Sequence, residues 1–217
     1  MTIDPETLRQ IEELSHDDRP LLVLDVDDVL LDFARPFPRY LESRGFQLRL
    51  DSFRLTGNVY ETGSEIALDR DRTMGLLDDF FTAQTEWQTL VAGAAETVAS
   101  IAEGAEVVLL TAMPHRHRST RRAYLDALGL NYPLLTTEMA KGPAIHRLRG
   151  EIERPVAFVD DMPHNLASAR ESVVDTHLFH LMADTSLRAL MPAPPEGAVI
   201  VDTWHEAGDH IAKALGL

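Results

Sequence analysis

At 217 residues and 45% hydrophobic content, the chain is long enough for one domain with its own core, or one domain carrying an insertion. A formal net charge of −15 speaks against partners such as nucleic-acid backbones or anionic membranes, and the lack of cysteine excludes disulfides and thiolate metal sites. No apolar stretch approaches the ~20 residues of a membrane helix, and the acidic start, MTIDPETLRQIEELSHDD, lacks an apolar signal core, so a cytoplasmic location is expected.

In chain order, residues 4–14 predict a short amphipathic helix with Asp4 as N-cap and Pro5 in the first turn. Short apolar runs follow: LLVLD (21–25), VVLLT (107–111), YPLLTT (132–137), VAFVDD (156–161), HLFHLM (177–182) and AVIVD (198–202). Several are continuously apolar, as strands buried on both faces of a parallel sheet are. Helical patterns separate them at 94–104, 117–130, 141–152 and 164–172. The fold class is therefore α/β, an open parallel sheet with right-handed crossovers.

About eighty residues separate the first two strands, far more than a crossover needs. The segment has helical patterns at 34–45 and 64–90 and most of the aromatics, among them Phe33, Phe37, Tyr40, Phe46, Phe53, Tyr60, Phe80, Phe81 and Trp87. It reads as a helical insertion over 33–90, between core segments 1–32 and 91–217. Most of its aromatics are expected to form its own small core.

Ligands of open α/β sheets sit beyond the carboxyl ends of the strands. There the sequence places Asp25 and Asp27, Thr111, Lys141, and Asp160 with Asp161. Acids this close repel one another unless something compensates them. A divalent cation such as Mg²⁺ favours such oxygen ligands, and metal plus Lys141 suits a phosphate. Thr111 and the amides of Ala112 and Met113 can donate to its oxygens. Each piece has a plain account of its own: solvated turn acids, a strand cap, acids at a helix start. Their matching positions on successive strands favour the joint reading. Only Lys141 and Lys213 are lysines, arginine supplying the other positive charge, which makes the retained Lys141 suggestive.

The four motifs, LLVLDVDDV, VVLLT, a Lys at a helix start and VAFVDD, resemble in kind and order those of the haloacid dehalogenase (HAD) superfamily of phosphohydrolases. The resemblance runs from about residue 20 to 205, and the insertion corresponds to the family's helical cap. DVDDVLLDF is similar to the opening of the 5′(3′)-deoxyribonucleotidases, which carry Gly where this chain has Asp28. That leaves Asp28 either as a further acid near the site or as a solvent-facing turn residue.

The resemblance implies that Asp25 attacks phosphorus to form an aspartyl-phosphate and that Asp27 protonates the leaving oxygen, then activates water. It implies Mg²⁺ held by Asp25, the Asp27 carbonyl and Asp161, with Asp160 as a second or water-mediated ligand and Asn165 near a metal-bound water. Lys141 and Thr111 would grip the phosphate. Phe33 and Phe37, closest after the nucleophile, are candidate substrate contacts, with core packing as the alternative. The expected substrate is a small phosphorylated metabolite, a nucleotide or a sugar phosphate among the choices.

Rivals fare worse. A receiver domain puts its acid pair first and its Lys last. A dehalogenase needs no Asp27, and a phosphonatase needs a cap lysine, which 33–90 lacks. A phosphotransferase, or a catalytically silent phosphate-binding regulator on the same fold, stays open, and oligomeric state is not legible.

Overall fold

The structure is a computed structural model that describes residues 2–15, 17–50 and 54–217. Its centre is a six-stranded, all-parallel sheet. In chain order the strands are β1 (Leu21–Leu24), β4 (Glu106–Thr111), β5 (Leu134–Thr136), β6 (Val156–Asp160), β7 (His177–Leu181) and β8 (Val199–Val201), arranged β5-β4-β1-β6-β7-β8. Strands β2 (Phe46–Leu48) and β3 (Val59–Glu61) form a separate antiparallel pair.

The unbroken apolar run of β1 follows from its central place. Successive strand residues point to opposite faces. Leu22 and Leu24 enter one cluster with Leu109, Val159, Trp204 and Ile211, while Leu21 and Val23 enter the other with Val108, Phe158, Ile145 and Leu166. Helices α5 (Ala94–Ala102) and α9 (Trp204–Leu215) supply the first face, and α7 (Gly142–Arg149) and α8 (Pro163–Ser172) the second. Helix α6 (Arg118–Ala127) adds Leu125 to the first.

The free edge of β5 is covered by the expected amino-terminal helix α1 (Pro5–Glu12). Asp4 caps it, accepting from the amides of Glu6 (3.0 Å) and Thr7 (3.4 Å). Gln10 Oε1 accepts the Thr136 amide at 2.9 Å, and the Thr7 hydroxyl donates to the Thr136 carbonyl at 2.7 Å. An otherwise open strand edge is thereby closed to pairing with other chains.

Between β1 and β4 lie α2 (Pro36–Ser43), the β2–β3 pair, α3 (Arg70–Thr82) and α4 (Gln84–Trp87). They pack around Phe37, Tyr40, Leu41, Val59, Phe80 and Phe81. Phe53 lies outside the described residues. The insertion is thus not wholly helical, as the sequence suggested. Two three-residue strands are too short to show a period, and Gly45 and Gly57 (φ +81° and +92°) stand beside them. The helical pattern at 64–90 also begins late, at Arg70, because Asp69 accepts the Arg72 amide at 2.8 Å and caps the helix there. The chain enters and leaves the insertion side by side: Asp32 N donates to Thr89 O and Val91 N to Leu30 O, both at 2.9 Å. Among the described residues no helix is long and apolar enough to cross a membrane.

Candidate active site

The Asp25 amide still donates to Val159 O at 2.9 Å, so its carboxylate is fixed by the sheet at the β1–β6 boundary. Asp160 ends β6 and Asp161 follows it. One oxygen from each of these three acids lies within 4.8 Å of the others, and all three residues are buried. Lys141, just ahead of α7, reaches them with 0% exposure, its Nζ donating to Asp160 Oδ2 at 2.6 Å and to Asp25 Oδ1.

The helix placement that aims Lys141 depends on its neighbour. A Cβ on Gly142 would stand 2.0 Å from the Ser168 carbonyl oxygen, so only glycine lets α7 lie this close to α8. The Gly142 amide donates to Ser168 Oγ at 3.1 Å across that contact.

Three carboxylates face one ammonium. Burial works against the Lys141 charge, but Asp160 and Asp25 outweigh it and hold its pKa above the ordinary value. The same burial, with repulsion from Asp160 and Asp27, pushes Asp25 up to about 7 despite Lys141. Asp161 is driven well above the usual range, by burial first and its acidic neighbours next. Asp160 is the best supplied with donors: besides Lys141 it accepts from Met162 N (2.8 Å) and from Asn165 Nδ2 (3.0 and 3.2 Å). No donor among the described residues reaches the Asp161 carboxylate. This donor set, all hard oxygens with negative charge in excess, fits a divalent cation such as Mg²⁺.

Asp27 points elsewhere. Its Oδ1 accepts from Gln88 Nε2 (2.7 Å) and Arg121 Nη1 (3.0 Å), and Thr111 Oγ1 stands 3.4 Å from its Oδ2. Arg121 is fully buried, binds Gln88 Oε1 through Nη2 at 3.1 Å and lies 5.5 Å from the Phe81 ring centre. The Tyr124 hydroxyl donates to the Gln88 carbonyl at 2.6 Å. Sequence reasoning missed both Arg121 and Gln88. Arg121 carries a readable signal, since it stands at helical spacing in the apolar stripe with Leu125 and Leu128. Gln88 carries none.

Asp28 is neither a solvent-facing turn acid nor a simple addition to the acid cluster. It is the non-glycine residue with positive φ (57°) among those described, a conformation Asp tolerates better than most. It is 5% exposed, and its Oδ1 accepts the amides of Phe33 (2.9 Å) and Ala34 (3.0 Å), fixing the turn that leads into the insertion. Burial raises its pKa to about 6 against the pull of those two amides.

The remaining expected residues divide. Thr111 is buried at the end of β4, and Ala112 is exposed beside it. Met113 instead turns into the core of the insertion. Asn165 is spent on Asp160. Phe33 and Phe37 stack at 5.1 Å, with Phe80 edge-on to Phe33 at 5.5 Å. Phe37 is 1% exposed and belongs chiefly to the insertion's core, yet both rings border a cavity of about 650 Å³ that reaches Asp161.

No protein-family model and no curated protein matches the sequence. Solved structures do match in fold. A HAD family hydrolase from Deinococcus radiodurans, with bound phosphate and sodium, superposes with a TM-score of 0.58 at 16% identity, covering 91% of this chain and 96% of its own. A haloacid dehalogenase-like protein from Agrobacterium tumefaciens gives 0.61 at 15%, covering 90% and 98%. The HAD-type hydrolase YfnB from Bacillus subtilis, bound to magnesium, gives 0.58 at 14%, covering 93% and 100%. With its parallel sheet, its insertion after β1 and its acids at the strand ends, the chain has the fold of the haloacid dehalogenase-like hydrolases.

Proposed function

We propose that the protein is a Mg²⁺-dependent phosphatase that hydrolyses a small phosphate monoester through an aspartyl-phosphate on Asp25. The observation that carries this reading is the meeting of Asp25, Asp160, Asp161 and Lys141 at the ends of adjacent strands. Asp25 and Asp161, with the Asp27 carbonyl, would hold the metal, and Asp160 would hold Lys141. Bound there, Mg²⁺ supplies positive charge against the phosphoryl oxygens. Relatives in fold bind phosphate with sodium, or magnesium, which agrees with this choice.

Within this scheme Asp25 attacks phosphorus, and Lys141 and Thr111 balance charge on the transferred group. Asp27 gives a proton to the leaving oxygen and later draws one from water. Two donors occupy its Oδ1, so Oδ2 is the oxygen that exchanges the proton. Residues 33–90 would form the cap that encloses the leaving group, hinged where Leu31 pairs with Leu90. A substrate enclosed in this way is a metabolite rather than a polymer, and a cytoplasmic location follows that choice.

The test is hydrolysis of a generic aryl phosphate by purified protein with Mg²⁺, with chelator, and with Asp25→Asn. We expect turnover that needs the metal and falls by several orders of magnitude in the variant. Turnover that survives Asp25→Asn would remove Asp25 as nucleophile.

A further inference from the structure

Resting on the phosphatase reading above, we propose that the alcohol released is apolar: the substrate is an alkyl or aryl phosphate monoester, not a sugar phosphate or a nucleotide. The cavity that meets Asp161 holds about 650 Å³, within the ~300–1,000 Å³ of small-molecule sites and far beyond the needs of phosphate alone. Its wall is built from both parts of the chain. The insertion supplies Phe33, Leu48, Leu55 and Met74, and the core supplies Met182 and Leu187.

Among the described residues the buried polar lining is two acids, Asp28 and Asp161, and both are committed elsewhere. Asp161 belongs to the metal cluster, and the Asp28 Oδ1 is taken by the Phe33 and Ala34 amides. Arg54, Thr56 and His164 are exposed. Apart from the Asp161 carboxylate, which faces the metal cluster, none of the buried polar atoms left without a partner among the described residues belongs to this wall. A site for a sugar or a base edge needs such preset partners, because every hydroxyl or amide buried without one is penalised. The buried Asp28 carboxylate also disfavours a second anionic group beside it. The methionines, unbranched and adaptable, suit a range of apolar shapes.

The experiment compares kcat/KM for n-butyl, n-hexyl and n-octyl phosphate, a hexitol monophosphate and a nucleoside 5′-monophosphate, all esters of primary alcohols. We expect kcat/KM to rise about two- to fourfold per methylene, as burial of methylenes dictates, and hexyl phosphate to exceed the hexitol ester at least tenfold. Met74→Gln should flatten that slope. In parallel, calorimetry with n-alkylphosphonates and Mg²⁺ reads the cavity without turnover. Chain-length-dependent affinity with no hydrolysis of any ester would uphold the apolar cavity and overturn the phosphatase reading. Hydrolysis with a flat slope, or with the hexitol or nucleotide ester preferred, would overturn the apolar alcohol and leave the phosphatase standing.

Discussion

At the end of β1, Asp25 and Asp27 sit two residues apart in surroundings balanced in opposite ways. Asp25 joins Asp160 and Asp161 around the single ammonium of Lys141, a buried group with too much negative charge. Asp27 meets one fully buried guanidinium and one carboxamide, a group whose charges balance without any ligand. The first arrangement is costly until a cation arrives, and the second is settled from the moment of folding. Activity and stability should therefore separate between neighbouring residues of one motif.

The largest effects break the comparison directly. Asp25→Asn and Asp27→Asn should both remove nearly all turnover, by three or more orders of magnitude for Asp25. Their stabilities should diverge. Asp25→Asn takes a charge out of an over-negative group, so metal-free protein at pH 8 should melt no lower than wild type. Asp27→Asn leaves Arg121 buried without its counter-charge, which costs about 3 kcal/mol, the low end for a broken buried pair because Asn still accepts from Gln88. Adding Arg121→Met should recover much of that loss and none of the activity. Denaturant midpoints check this. Equal stability of the two single variants would dissolve the distinction.

A smaller effect sharpens it. The raised value of about 7 for Asp25 means that, between the ordinary carboxyl range and pH 7, folded protein keeps a proton that unfolded chain releases. The stability held with that proton is complete at low pH and is lost as pH rises through 7. Asp161 acts in the same sense. Mg²⁺ competes with these protons, so saturating Mg²⁺ should raise Tm by ~3–6 °C at pH 8 and by under ~1 °C at pH 5. Thermal melts in both buffers decide it, and a shift independent of pH would separate the metal from the acid cluster.

The smallest effect is a control on both groups. Phe33 lines the cavity and touches neither cluster, so Phe33→Ala should cost only about 1–2 kcal/mol and keep the pH-dependent response to Mg²⁺. Its KM for an apolar ester should rise severalfold with little change in kcat. An effect confined to stability would assign Phe33 to packing alone.

The sheet and the acid cluster were legible because both rest on strong local signals. A strand buried on both faces has to be continuously apolar, as Leu21–Leu24 is, and acids directly after such runs have to meet at the sheet's edge. The placement of Lys141 followed from its position before a helix. What stayed hidden depended on distant contacts. Arg121 stands out as an arginine in an apolar helix stripe, but its partner, Asp27, lies 94 positions away and only the fold brings the two together. Gln88 caps α4 where the chain turns back toward the core, and its direction is set by contacts with Tyr124 and with the bridge at Leu31, both remote in sequence. Asp28 gave no local sign of its left-handed backbone, a conformation more usual for glycine. The β2–β3 pair was lost because three residues do not make a pattern.

The sparing use of lysine gives the molecule a built-in chemical clock. Lys213 is exposed on α9 and Lys141 is sealed under the sheet's edge, so an acylating reagent meets one lysine in the folded chain and two once the core opens. The rate at which the peptide around Lys141 gains its label, followed by mass spectrometry, times the opening of the domain at the point where its chemistry is assembled.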